Sequence, residues 1–426
     1  MSSESQAQSP RRKRKPQVFK RTMRQVIRDL LILTVFFLIL GRYFSASQPD
    51  FSRLSVERNA YAEKGEGDIR LAIVWDAYEY NKGFLQGVEL AVKEVNDAGG
   101  LLGRKLVYDV YPDSPSTPRK VAQNIEYAAV IGHETSDKAK PASIAYSYSQ
   151  LLYFAPTATH PDLTRSDFPL VIRTVPDDRG MVGALVDEMV RASVTNVAIV
   201  GVRNDYGISM SILLEELCGN TDITTFNAGT YSEGQRDFRR LTYRLKENPL
   251  DAIFLADTLP RAGTVITQLR EQNLHVPVLG GDGLDSAPDL WEGAPDGAAN
   301  KVYLASVYEP PAGATHEEVI SRARSQAEKV FLQGYLSDYD DSPGIYSIAG
   351  YDAVKLYVQA VNRTKTTVPL LVSSTLKYEG PWLTVSGECS FTEIGDVVGR
   401  QLIIKEMRDG RFITKTEGQE CLLSLQ

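Results

Sequence analysis

Short apolar runs alternate with amphipathic stretches through most of the chain. The run Ile69-Arg70-Leu71-Ala72-Ile73-Val74-Trp75 is rich in β-branched residues and nearly free of charge, the signature of a strand covered on both faces. Phe84, Val88, Ala91 and Val95 then fall on one helical face, with Leu85 and Val92 beside them. Gly99-Gly100 ends that helix, because glycine accepts the left-handed cap without a Cβ clash, and residues 106–111 read as the next strand. Thr117-Pro118 opens a further helix with Pro at its first position. Short strands are predicted over 128–131, 151–155 and 171–175. Helices over 179–192, 207–217, 236–247 and 260–273 then alternate with strands over 196–202, 222–226, 252–257 and 276–280. Strands separated by helices of this length predict βαβ units and a mostly parallel sheet. About ten strands exceed one comfortable sheet, so the pattern predicts two α/β lobes. After a strand over 302–308 it changes to helices over 316–335 and 346–362. A β-rich tail follows, with 401–407 and 411–414 joined across Asp409-Gly410, a hairpin signal.

The N-terminus has a different pattern. Residues 1–29 are a basic tail holding nine Lys/Arg against Glu4 and Asp29. The twelve residues Leu30–Gly41 carry no charge. As a helix they cover roughly 18 Å, short of the roughly 30 Å hydrocarbon core. Extended over 26–44 the span reaches membrane length, with Arg28 and Arg42 placed to snorkel. This segment is expected to be either a transmembrane anchor or the apolar region of a cleaved signal peptide. In both cases the positive charge keeps the tail cytoplasmic and sends the body across the membrane. Residues 45–67 are polar, show no sustained apolar period, and are expected to be a tether.

The charge balance separates head from body. The whole chain of 426 residues has 47 basic and 54 acidic residues. Removing the first 29 residues (nine basic, two acidic) leaves 38 basic against 52 acidic, so the body is acidic. An acidic body is a poor partner for a polyanion, and no nucleic-acid binding is expected. No G-x-S-x-G elbow, P-loop or H-E-x-x-H is present, and no enzyme activity or cofactor is expected. The three cysteines form no C-x-x-C; Cys389 and Cys421 flank the terminal strands and are candidates for a disulfide in an oxidising compartment. His133 and His160 read as structural, and Asn362-Arg363-Thr364 matches a glycosylation sequon.

Several motifs occur in a fixed order. Ala91–Val110 reads AVKEVNDAGGLLGRKLVYDV, a helix ending in Asn, paired glycines, a further glycine and a strand. Val130-Ile131-Gly132-His133 precedes Thr135-Ser136, and Ala155-Pro156-Thr157-Ala158-Thr159-His160-Pro161-Asp162-Leu163-Thr164 follows. Asn204-Asp205-Tyr206-Gly207 and Gly280-Gly281-Asp282-Gly283 come later. Over about 68–410 this order resembles the type I periplasmic binding proteins, in particular the leucine/isoleucine/valine-binding branch of ABC transporter substrate-binding proteins. The resemblance implies two doubly wound, Rossmann-like α/β lobes joined by three hinge crossings, after an N-terminal membrane helix or signal segment. Lobe 1 is expected to combine 68–175 with 310–380, and lobe 2 to combine 176–308 with 381–426. The crossings are expected near 173–178, 307–311 and 380–396.

Ligands of open α/β sheets bind beyond the carboxyl ends of strands. The resemblance therefore implies a ligand site made of Thr135, Ser136, Ala158, Thr159, Tyr206, Thr258, Asp282 and Gly283. For an amino-acid-like ligand, hydroxyls of Ser136 and Thr159 and a helix N-terminus suit the carboxylate. Asp282 suits the ammonium, Ala158 offers its carbonyl to it, and Tyr206 packs on the ligand from lobe 2. Ser136 and Thr159 are equally residues that cap helices, and Asp282 sits in a Gly-rich loop where turn residues are common. Two features depart from the branched-chain binders: a short loop over 76–82, and Thr258 where those proteins place a Tyr. Glu134 and Asp257 are expected near the cleft, favouring a cationic or polar ligand. The implied partners are an ABC permease with its ATPase subunits, and the membrane through the N-terminal segment. The alternative is a sensor or scaffold of the same fold acting through a membrane partner protein.

Overall fold

The computed structural model describes residues 28, 30–37, 51–165, 168–286, 297–339, 341–414 and 423. It divides into two units, Met1–Asp50 and Phe51–Gln426. In the first, residues 28 and 30–37 are helical. The remainder of the expected 26–44 span and the tail before it lie outside the described residues, as does Cys421. Among the described residues no helix is long and apolar enough to cross a membrane.

The second unit runs α1 (Phe51–Lys64), β1 (Ile69–Val74), α2 (Gly83–Asp97), β2 (Leu106–Tyr111), α3 (Thr117–Gln123), β3 (Tyr127–Gly132) and α4 (Ser136–Tyr148). Next come β4 (Leu152–Ala155), α5 (Asp162–Arg165) and β5 (Val171–Arg173). These strands form one parallel sheet in the order β2-β1-β3-β4-β5. The chain then builds α6 (Asp178–Arg191), β6 (Asn196–Val202), α7 (Asp205–Cys218), β7 (Thr224–Tyr231), α8 (Arg239–Lys246), β8 (Ala252–Ala256), α9 (Arg261–Glu271), β9 (Val278–Gly280) and β10 (Val302–Ser306). It returns through α10 (His316–Ser321), α11 (Gln326–Asp338), α12 (Ile345–Thr364) and α13 (Pro369–Tyr378). The end is β11 (Trp382–Thr384), β12 (Gly387–Phe391), β13 (Val397–Val398), β14 (Ile403–Arg408) and β15 (Arg411–Thr414). The second large sheet is β15-β14-β10-β9-β8-β6-β7, parallel from β10 to β7 and antiparallel at β14 and β15. Every residue of β4, β8 and β10 is buried, as expected of parallel strands with helices on both faces.

The local signals work where backbone geometry demands them. Gly99 and Gly100 take φ of 99° and 83° after α2. A Cβ on Gly100 would lie 2.2 Å from the Arg104 carbonyl oxygen, so no larger residue fits that corner. Asp409 and Gly410 both take positive φ between β14 and β15, the twist a two-residue hairpin needs. The helix expected over 316–335 is broken in two, because Ser325 caps a new start by accepting from the Glu328 N–H at 3.0 Å.

Two expectations about the layout are corrected. Within the expected tether 45–67, residues 51–64 form α1, which docks on the first lobe. Its Arg58 is 1% exposed and donates to the carbonyls of Ala122, Asn124, Tyr127 and Ser149 at 2.7–3.2 Å. Ala122 and Asn124 lie at the C-terminal end of α3 and Ser149 just past α4, where helix C-termini leave acceptors unpaired and carry partial negative charge; Tyr127 opens β3. The second correction concerns 381–426. The small sheet β11-β12-β13 packs on α12 and α13 of the first lobe, with the Trp382 indole donating to the Leu376 carbonyl at 2.8 Å. Asp352 of α12 accepts from the Val385 N–H at 2.9 Å and pairs with Arg400 at 3.1 Å. Among the described residues of this stretch, β14, β15 and Leu423, whose N–H donates to Glu188 of α6 at 3.1 Å, belong to the second lobe, so the third crossing falls after Arg400.

Candidate functional site

The crossings are braced by buried charge. Arg173, fully buried at the first crossing, donates to the carbonyls of Thr159 and His160 at 3.0 and 2.7 Å and pairs with Asp396. At the second, Lys405 lies between Asp285 (2.9 Å) and Glu309 (2.7 Å). Across the mouth, Lys140 of α4 pairs with Asp205 of α7 at 3.0 Å, drawing the two lobes together.

A cleft lies between these braces. The first lobe contributes Tyr80, Glu134, Thr135, Ser136, Thr157, Ile345 and Tyr346. The second contributes Asn204, Tyr206, Thr258, Asp282 and Gly283. Most come from loops that leave the carboxyl ends of β3, β4, β6, β8 and β9, where a parallel sheet opens its helices apart.

Each wall has unspent polar capacity. Thr135 occupies the N-cap of α4 in extended conformation, yet its Oγ1 is buried without a hydrogen-bond partner. The first-turn N–H groups of α4 thus point out beside an idle hydroxyl, a favourable place for an anion. The Ser136 hydroxyl accepts from the His160 N–H at 3.2 Å and keeps its own proton to donate. The Thr157 hydroxyl donates to the Glu134 carbonyl at 2.8 Å. Opposite, Tyr206 starts α7 beneath an Asn204 cap, and its hydroxyl is buried without a partner. A Cβ on Gly281 would sit 2.5 Å from that hydroxyl, so glycine there makes room for the ring. Asp282 is half-buried; burial, then the carboxylates of Asp178 and Asp285, push its pKa up to about 8. Burial likewise raises Glu134, which accepts from the Asn81 amide at 2.9 Å.

Of the eight residues expected at the site, six line the cleft: Thr135, Ser136, Tyr206, Thr258, Asp282 and Gly283. Ala158 and Thr159 do not; each is 1% exposed, and the Thr159 carbonyl is held by Arg173 and by the Asp178 N–H. The loop after β4 turns into the hinge at Ala158 and Thr159, so Thr157 takes the cleft position. Asp257 is also withdrawn: it pairs with Arg261 at 2.6 Å and accepts from the Tyr231 hydroxyl at 2.6 Å inside the second lobe. Tyr80, Ile345 and Tyr346 were not foreseen. Tyr80 had a signal, since it lies in the loop after β1 at a strand's carboxyl end. Ile345 and Tyr346 had none, because their helix enters from a later stretch of chain. His133 is structural, bonded to Asp113 at 2.7 Å and Tyr146 at 2.9 Å.

The profile of the periplasmic binding protein family matches residues 76–409. The chain belongs to that family. Within it, the protein is a type I member of the leucine/isoleucine/valine-binding branch. It is 27% identical over 368 residues to the leucine-specific-binding protein of Salmonella typhimurium, covering 81% of this chain and 91% of that one. It is 27% identical over 326 residues to the Leu/Ile/Val-binding protein homolog 1 of Brucella melitensis, covering 74% and 83%. An ABC transporter substrate-binding protein of Desulfitobacterium hafniense, solved in complex with Leu, superposes with a TM-score of 0.69 at 27% identity, over 82% of this chain and all of that one. A leucine-binding protein from Thermotoga maritima shares the fold with a TM-score of 0.72 at 18% identity, over 82% of this chain and 98% of that one. The binding protein's family consists of extracytoplasmic substrate-binding proteins for transport rather than enzymes.

Proposed function

We propose that this binding protein closes its lobes on a free α-amino acid outside the cytoplasm and delivers it to an ABC permease with its ATPase subunits. The observation that carries the reading is the pairing of opposite chemistries across one cleft. The N-terminus of α4, with the idle Thr135 hydroxyl and the Ser136 hydroxyl, suits a carboxylate. Asp282 on the other lobe, with no cation among the groups that shift it, suits an ammonium. A zwitterion satisfies both ends and links the lobes, which is how binding favours the closed state. The Leu complex of the Desulfitobacterium relative supports the ligand class.

The N-terminal span over 26–44 tethers the body, and α1 docks on the first lobe through Arg58, so the tether ends on a folded surface. Calorimetry of the purified chain against the common L-amino acids tests ligand binding. A dissociation constant below about 0.1 mM for at least one is expected, and none tighter than about 1 mM would refute the reading. Crosslinking in native membranes tests delivery. Recovery of permease and ATPase subunits is expected, whereas recovery of a signalling protein alone would favour a sensor of the same fold.

A further inference from the structure

Glu134 adds a second carboxylate to the cleft, on the lobe opposite Asp282. Asn81 is fully buried and donates its amide both to Glu134 at 2.9 Å and to the Asp76 carbonyl at 3.2 Å, which fixes where the carboxylate points. The Tyr80 phenol also lies against it. Among the described residues no basic side chain lines the cleft. Lys138 acts on Glu134 from outside the cleft, but its Nζ also stands 3.7 Å from Asp76 and 3.6 Å from Asp113, so one cation serves three carboxylates there. Beside Glu134 the Tyr80 and Tyr346 rings meet edge to face, with centroids 6.2 Å apart. Trp75 backs Tyr346 at 6.0 Å. A carboxylate at an aromatic corner suits a cation, through charge and through the negative faces of the rings. A branched aliphatic side chain in the same corner would shield the carboxylate from water and leave it only a shared cation outside the cleft.

We infer that the ligand is a basic α-amino acid, whose side-chain cation lies against Glu134 between Tyr80 and Tyr346 while its α-ammonium meets Asp282. This rests on the amino-acid reading given above.

Calorimetry of the full chain with L-lysine, L-ornithine and L-arginine, against L-leucine and L-norleucine, tests it. Norleucine matches lysine in its straight chain and lacks the terminal charge. The best basic ligand is expected to bind at least about tenfold tighter than norleucine. Glu134→Gln is expected to remove about tenfold or more of that preference, and an unchanged urea-unfolding midpoint shows that the variant folds. Glu134→Leu is expected to reverse the preference. If norleucine or leucine binds the unaltered protein as tightly as the best basic ligand, the inference fails while the amino-acid reading stands. If no α-amino acid binds, both fail.

Discussion

Replacing Asp282 by Asn removes the group assigned to the ligand's ammonium, and its effect depends on pH in a way set by the site. Burial and two neighbouring carboxylates raise the Asp282 pKa to about 8. At pH 7 about a tenth of free molecules then carry the charge, and at pH 6 about a hundredth. An ammonium binds the ionised form, so each pH unit below 8 weakens binding about tenfold, or about 1.4 kcal/mol. Affinity is therefore expected to rise from pH 6 to pH 8 and level off above, with close to one proton released per ligand near pH 7. Asp178 lies near Asp282, is itself raised to about 6 by burial, and bends the curve at its acid end. Asp285 stays paired with Lys405. At pH 8, Asp282→Asn is expected to cost about 2–4 kcal/mol, because a desolvated ammonium loses its counter-charge. At pH 6 the gap should narrow by about 2–3 kcal/mol, since the native carboxyl has itself become mostly neutral. Titration calorimetry from pH 6 to 8.5, in two buffers of different ionisation enthalpy, reads affinity and proton release together. A flat affinity between pH 6 and 8, or a gap that does not narrow, would refute the placement of Asp282 at the ammonium.

Arg58→Ala should release α1 from the first lobe. Four charge-assisted bonds at about 1.5 kcal/mol each, less about 3 kcal/mol for burying the guanidinium, leave about 3 kcal/mol. Hydrogen exchange should show about 100-fold lower protection over 51–64, and unchanged protection there would count against the docked helix. Gly87→Ala should destabilise the body by about 3 kcal/mol, because its Cβ would lie 1.9 Å from the Ser347 carbonyl oxygen where α2 crosses α12. Urea unfolding would detect this as a lower midpoint with little change in slope.

Much of the architecture is written in local pattern. Fully apolar runs such as 252–256, short and set between helices, read as strands covered on both faces, and this one is buried throughout. The pairs Gly99-Gly100 and Asp409-Gly410 specify backbone angles that other residues resist. The ordered loop motifs placed six site residues at strand ends, because in a parallel sheet sequence order and the edge of the cleft are tied by topology. What escaped depends on partners distant in the chain. The stretch 51–64 reads as a solvated tether because its apolar residues keep no sustained period, and Arg58 becomes a structural residue only where the carbonyls of 122, 124, 127 and 149 converge. Asp257 and Glu134 look alike in the sequence, two acids just past strands. Arg261 and Tyr231 neutralise the first inside its lobe, whereas Asn81 holds the second facing the ligand space. Thr157 rather than Thr159 reaches the cleft because Arg173 anchors the later carbonyl at the hinge. Backbone conformation is a short-range property and could be read residue by residue. Whether a charge is spent or available is decided by what folding brings beside it, and here only the tertiary structure settled it.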